Sequence, residues 1–232
     1  MNRKLTYSRI SVTTFIAMCL MVLFSVSAVA KDKLPETSHD GLKLQKDTTL
    51  AAVYLKPGES LEGYDKVTML DVYVAFKKNW QRNYNQDTMG MDGRVNDKDI
   101  VVIKKRLAGE FKTIFSRELQ EKGGYEVVGD AGKDVLLLRP AIVNLVVNAP
   151  DVNRAGMGRN FVASAGEMTL YLELYDSVSG DIIARVVDAK AAGNHGIAHM
   201  GGQVQNKAEF DRVLVGWADI LRKHLDSLNA GK

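Results

Sequence analysis

His195 and His199 stand four residues apart with Asp188 upstream. On a helix that spacing would turn both imidazoles to one side, where a carboxylate could complete a zinc site that activates water. The surrounding text favours another reading. Gly193, Gly196, Gly201 and Gly202 make a loop the expected conformation, and no glutamate between the histidines offers a general base. Two surface-loop histidines are the expectation, and a metal-dependent enzyme or hydrolase built on His195, His199 and Asp188 is the alternative. Ser164, in Ala163-Ser-Ala-Gly166, lacks the Gly-x-Ser-x-Gly elbow that would expose a nucleophile, so no catalytic residue is assigned. His224 falls near the apolar side of a helical pattern and reads as a satisfied, partly buried side chain.

Asp87, Asp92, Asp97 and Asp99 crowd one stretch, as oxygen ligands of calcium do. Their spacing misses the Asp-x-Asp-x-Asp-Gly rhythm, and Asp97 and Asp99 suit the first turn of a helix, where the dipole favours acids. Gly156-Met-Gly158 between Arg154 and Arg159 could cradle an anion, but a dinucleotide loop would need a helix after it, and a strand pattern follows. Tyr73, Tyr171 and Tyr175 fall opposite the aliphatic positions of their strands. Beside Asp71 and Glu173 they could form a sheet surface that stacks on glycan rings or on a partner protein. The plainer possibilities are a solvated face, or cover by the N-terminal segment. Tyr73, Tyr171, Tyr175, Arg154 and Arg159 are the candidate binding residues.

The elements that must position these groups follow from periodicity. Residues 31–50 are polar and without apolar period, which suggests a tether or a segment laid on the surface. Ala51–Leu55 is a short strand pattern. From Val67, the residues Leu70, Val72, Val74 and Phe76 alternate with Asp71, Tyr73 and Ala75 as a first core strand. A polar loop is expected over Asn79–Asn96. Ile103, Leu107, Phe111, Ile114 and Leu119 then mark one apolar stripe of a helix capped by Asn96 or Asp97 and stopped at Gly123-Gly124. Val135–Val147 is a long strand pattern with a bulge or edge position expected at Pro140. Met168, Leu170, Leu172 and Leu174 alternate with Thr169, Tyr171, Glu173 and Tyr175, and the Asp176–Asp181 turn returns the chain through Ile182–Val187 as a hairpin. Phe210, Val213, Trp217, Leu221, Leu225 and Leu228 line a last helix. The expected fold is α+β: a two-layer sandwich with a mostly antiparallel sheet of about five strands and two amphipathic helices, in a single domain over residues 51–232.

The first 30 residues have the layout of an export signal. Arg3, Lys4 and Arg9 precede an apolar run from Ile10 to Ala30 that ends in Ala28-Val-Ala30, so cleavage is expected after Ala30. The run could also span a bilayer uncleaved. Cys19 could be acylated in a lipoprotein signal, although Met18 before it is not the small residue that such processing needs. Membrane attachment is expected only in those two cases. The whole chain carries 31 basic and 28 acidic residues, and removing three basic ones leaves 28 of each. Neutrality argues against charge-driven nucleic acid binding. Cleavage would also remove the only cysteine, and with it disulfide and thiolate chemistry.

Several segments together resemble an uncharacterised family of exported bacterial proteins, domain of unknown function 3313. They are Tyr54–Gly58, Gly63–Val67, Val72–Phe76 with Trp80, Gly124–Val128, Pro140–Asp151, Ala165–Glu167, Asp176–Gly180 and Val186–Asp188, spanning roughly residues 50 to 190. The resemblance implies an exported bacterial protein and brings no catalytic residues; with the signal layout, the expected location is the periplasm or cell envelope of a Gram-negative bacterium. The expected function is that of an envelope protein without evident catalysis. It would need no cofactor and would bind a partner protein or a cell-wall polymer.

Overall fold

The computed structural model describes residues 34–88, 93–147, 165–191 and 203–230. Among these residues eight strands are formed: β1 (Lys43–Leu44), β2 (Ala52–Leu55), β3 (Lys66–Met69), β4 (Tyr73–Phe76), β5 (Glu126–Val127), β6 (Val135–Val147), β7 (Ala165–Asp176) and β8 (Ile182–Ala191). Three α-helices accompany them: α1 (Trp80–Asp87), α2 (Asp97–Arg117) and α3 (Gln203–Asn229). The strands join in one mixed sheet of order β1-β2-β8-β7-β6-β3-β5, with β4 also paired to β6.

The α+β class is as expected, but the strand count, the sheet's directions and the helix count differ. β1, β3, β4 and β5 have two to four residues each, too short to display a period of two. β3 and β4 run parallel to β6, and β3 runs parallel to β5. Parallel partners need a crossover, and α2 supplies it between β4 and β5.

The expected first core strand is broken in two. Val67 and Met69 of β3 are buried, Leu70 is 46% exposed, and Val74 of β4 is buried again, so the inward phase changes from odd to even positions across Leu70–Val72. This break explains how Pro140 is tolerated inside a central strand, without the bulge or edge position expected there. Leu70 N donates to Leu138 O, so two residues on, the backbone of β6 at Pro140 faces the same side. That is the gap between β3, whose last partner is Leu138, and β4, whose first partner is Ala141. No N–H is required where no strand stands. The irregularity of β6 lies further on, between Val143 and Val146, where Asn144 has a φ of 52°.

The stretch expected as a polar loop contains α1. Within α1 only Trp80 and Tyr84 are large apolar residues, too few for a periodic signal, but Trp80 anchors the helix. Its ring stacks between Phe76 and Tyr84, and its Nε1 donates to Val147 O at 3.2 Å. α2 starts at Asn96, whose side chain accepts from Lys98 N and Asp99 N while Asp99 accepts from Asn96 N, a capping box. After a π-helical turn over Glu118–Lys122, Gly124 ends the helical path at a φ of 76°. The β7–β8 turn closes as expected: Asp176 Oδ1 accepts from Val178 N and Ser179 N, and Gly180 takes a φ of 72°.

One face of the sheet is covered by helices. Leu138, Ile142, Leu170 and Leu174 pack with Phe111, Phe115, Leu214 and Leu225 in one continuous core. Among the described residues the opposite face is covered at one end. Residues 34–50 lie against it there, and Leu42, wholly buried, packs with Ala52 and Tyr54 in a small second core. Among the described residues no helix is long and apolar enough to cross a membrane.

Candidate ligand-binding face

On the helix-free face, the period of two places Tyr171, Glu173 and Tyr175 side by side along β7. Both hydroxyls donate to the Glu173 carboxylate, Tyr171 to Oε1 at 3.2 Å and Tyr175 to Oε2 at 2.8 Å. Strand register sets Arg185 of β8 opposite Glu173 on one side and Arg139 of β6 on the other. Arg185 donates to Oε1 from Nε at 3.0 Å and from Nη2 at 2.8 Å, and Arg139 Nη1 reaches Oε2 at 3.4 Å. Arg185 also lies over the Tyr171 ring, 5.7 Å from its centre. The N-terminal segment closes the cluster: Arg185 donates from Nη1 to Asp40 Oδ1 at 2.9 Å and from Nη2 to Asp40 Oδ2. Arg185 is thus clasped between two carboxylates.

Charges respond to this geometry in consistent directions. The Arg185 guanidinium, then the Ser38 hydroxyl, hold the Asp40 carboxyl well below the usual carboxylate range. Burial acts to raise Glu173, but the bonds from Tyr175 and Arg185 outweigh it and the group is lowered overall. Burial, then the Glu173 charge, pushes Tyr171 up, and burial with the bond to Glu173 pushes Tyr175 up. At neutral pH the cluster is therefore a carboxylate with two phenol donors and two guanidinium partners. Every functional group in it has a partner, so it suits fixing a surface more than transferring protons.

Next to the cluster, the break between β3 and β4 leaves a concavity of about 420 Å³, lined by Tyr73, Arg139, Ala141, Val143, Tyr171 and Glu173. Tyr73 is 63% exposed and Leu70 stands at the edge. Tyr73, Tyr171 and Tyr175 thus share the helix-free face. Tyr73 and Tyr171 line the concavity, while Tyr175 supports Glu173.

The remaining candidates are distributed elsewhere. Arg154, Arg159, Ser164, His195, His199, Asp92 and the expected signal lie outside the described residues. Asp188 is on the helix-covered face and nearly buried, where Oδ2 accepts from Trp217 Nε1 at 2.7 Å and Oδ1 from Ala51 N at 3.0 Å, with Lys190 Nζ 3.0 Å from Oδ2. It ties α3 and the start of β2 to β8. Asp97 accepts from Gln81, and Asp99 belongs to the capping box. His224 is exposed, not partly buried, because α3 turns it just beyond the apolar stripe. No group of three or more metal-ligating side chains occurs among the described residues.

Sequence reasoning missed the clasp of Glu173, Arg185 and Asp40. A charged residue at a central position of each hairpin strand was a usable signal, since register can pair them. Asp40 carried none, because its partner lies 145 residues away.

The family described as "Protein of unknown function (DUF3313)" matches residues 36–221, most of the chain. No curated protein matches it. Among solved structures, the chain is similar to the PelC dodecamer from Paraburkholderia phytofirmans, at 14% identity and a TM-score of 0.36, with 75% of this chain and 95% of that one covered. It is also similar to a minor lipoprotein from Acinetobacter baumannii, at 11% identity and a TM-score of 0.33, with coverage of 71% and 94%. At such scores these likenesses decide neither activity nor partner.

Proposed function

The chain belongs to the DUF3313 family of proteins of unknown function, and from that premise and the geometry of its sheet we propose that it is a non-catalytic module of the bacterial cell envelope. It binds a cell-wall polymer or a partner protein through the helix-free face. The observation that carries this reading is the concavity beside the Glu173 cluster, with the exposed Tyr73 ring and Arg139 at its wall. Phenol rings offer flat apolar area at small entropic cost, and Arg139 offers donors beyond the one used on Glu173. The clasp holds these groups in place before a ligand arrives, which lowers the ordering cost of binding. Export and cleavage after Ala30 are part of the same proposal, supported by the layout of residues 1–30.

The experiment offers the purified protein separately to isolated cell-wall sacculi and to detergent-solubilised envelope proteins. Wild type is expected to be retained in one of the two, and a Tyr73→Ala, Arg139→Ala variant to be lost from it with unchanged thermal stability. Equal retention of the variant, or no retention of wild type in either, contradicts the proposal.

A further inference from the structure

The opposite face of the sheet holds a second cavity, of about 380 Å³, between α3 and the strands β2, β7 and β8. Its walls are aliphatic: Val53 and Leu55 from β2, Leu172 from β7, Val186 from β8, and Ile220 and Leu221 from α3. Register explains the composition. Val53 pairs with Val186, Leu55 with Ala184 and Leu172 with Val186, so all these side chains stand on the helix side. Trp217 also lines the cavity, but its Nε1–H is committed to Asp188, and Asp188's other oxygen is committed to Ala51 N. The walls therefore present no unpaired donor or acceptor from these groups. Polar groups collect only where Asp47, Thr48, Thr49 and His224 stand, along the loop between β1 and β2 and the exposed side of α3.

We propose that this cavity binds a single acyl chain, with its head group at the Asp47–Thr49 and His224 end. Size and chemistry select that occupant. An engineered cavity of about 150 Å³ with such walls stays dry and takes benzene, and small-molecule sites start at about 300 Å³. A sugar, nucleotide or peptide backbone entering here would leave its own polar groups unpaired, whereas hydrocarbon has none to lose. At that end Asp47, Thr48, Thr49 and His224 stand together, with the Thr48 hydroxyl donating to Leu50 O, so polar side chains meet the head. The site lies on the other side of the sheet from Tyr73 and Arg139 and does not depend on the proposed binding face.

The test uses protein expressed from the full chain and purified as the cell yields it. Tryptophan emission is followed on adding a dibrominated fatty acid or, in a separate arm, a dibrominated phosphatidylethanolamine. Bromine in the cavity quenches Trp217, which lines it. Quenching that saturates in either arm is the expected result, and the arm identifies the source of the chain. Val53→Phe and Ile220→Phe, filling the cavity from opposite walls, are expected to weaken binding at least tenfold. If both fail to fold, Ile220→Asn, at a half-buried position of α3, places an amide in the cavity and is expected to weaken binding similarly. Tyr73→Ala with Arg139→Ala is expected to leave quenching unchanged, which separates failure here from failure of the binding-face reading. Absence of quenching in both arms, or quenching indifferent to the cavity variants, overturns the proposal.

Discussion

Arg185→Met isolates the interaction on which the helix-free face depends. Methionine keeps most of the side-chain length but removes the cation, leaving Glu173, only 7% exposed, without its nearest countercharge. Removing one partner of a buried pair costs about 3–5 kcal/mol when the remaining charge must stay. Here Glu173 has an escape, since it can take up a proton. From its ordinary value of 4.5 to pH 7 that costs about 3 kcal/mol, at about 1.36 kcal/mol per pH unit. The escape sets the ceiling, and the bonds from Tyr171 and Tyr175, which survive, reduce the penalty further. The expected loss at pH 7 is therefore about 2–3 kcal/mol. Urea unfolding at pH 7.5 and pH 5.5 reads it directly. In the wild type Glu173 is lowered, so its contribution is complete above pH 4.5. Without Arg185, burial is expected to outweigh the remaining tyrosine bonds and raise it, so the variant is expected to gain stability as pH falls and the gap to wild type to narrow between the two pH values. Adding Glu173→Gln, which needs no countercharge, is expected to recover part of the loss. A loss below about 0.5 kcal/mol, the range of ordinary surface substitutions, or a gap independent of pH refutes the reasoning.

Asp188→Asn turns an amide donor toward either Trp217 Nε1–H or Ala51 N–H and is expected to cost about 1–3 kcal/mol with a change in tryptophan emission; an unchanged midpoint and spectrum would count against its role in docking α3. Asn96→Ala removes the cap of α2 and is expected to cost about 1 kcal/mol by denaturant unfolding. Asp40, Glu173 and Asp176 are all held below their ordinary values of 3.8, 4.5 and 3.8. Their stabilisation is complete above those values and is lost as pH falls through the lower folded ones. The urea midpoint is thus expected to be level from pH 7 to 5 and to drop progressively below about 4.5. A midpoint that rises on acidification contradicts this.

The long elements were legible because each repeats its signal. β7 shows four inward leucine or methionine positions in strict alternation, and α2 shows a stripe over five turns with its cap and its glycine stop. The short elements were not. β3 and β4 read as one strand because the residues joining them, Leu70 to Val72, continue the apolar text while the backbone leaves the sheet. α1 rests on one indole whose partners, Phe76 and Val147, come from different strands. The parallel pairings follow from the α2 crossover, which a residue-by-residue reading does not locate. On the candidate face, alternation alone set the three tyrosines opposite the aliphatic side chains. What alternation could not supply is cross-strand register, and register brings Arg139 and Arg185 to Glu173. Asp40 reaches the cluster only because residues 34–50, polar apart from a few side chains such as Leu42, fold back over one end of the sheet.

Photocrosslinking from a single cysteine shows whether a ligand sits in the concavity beside Tyr73. In a Cys19→Ser background, Leu70→Cys carries a benzophenone at the edge of the concavity, and Val101→Cys carries one on the exposed side of α2, where Val101 is 65% exposed. Adducts with sacculus fragments or with one envelope protein are expected from residue 70, abolished by Arg139→Ala, and none from residue 101. Equal adducts from both positions, or adducts from residue 101 alone, would contradict this.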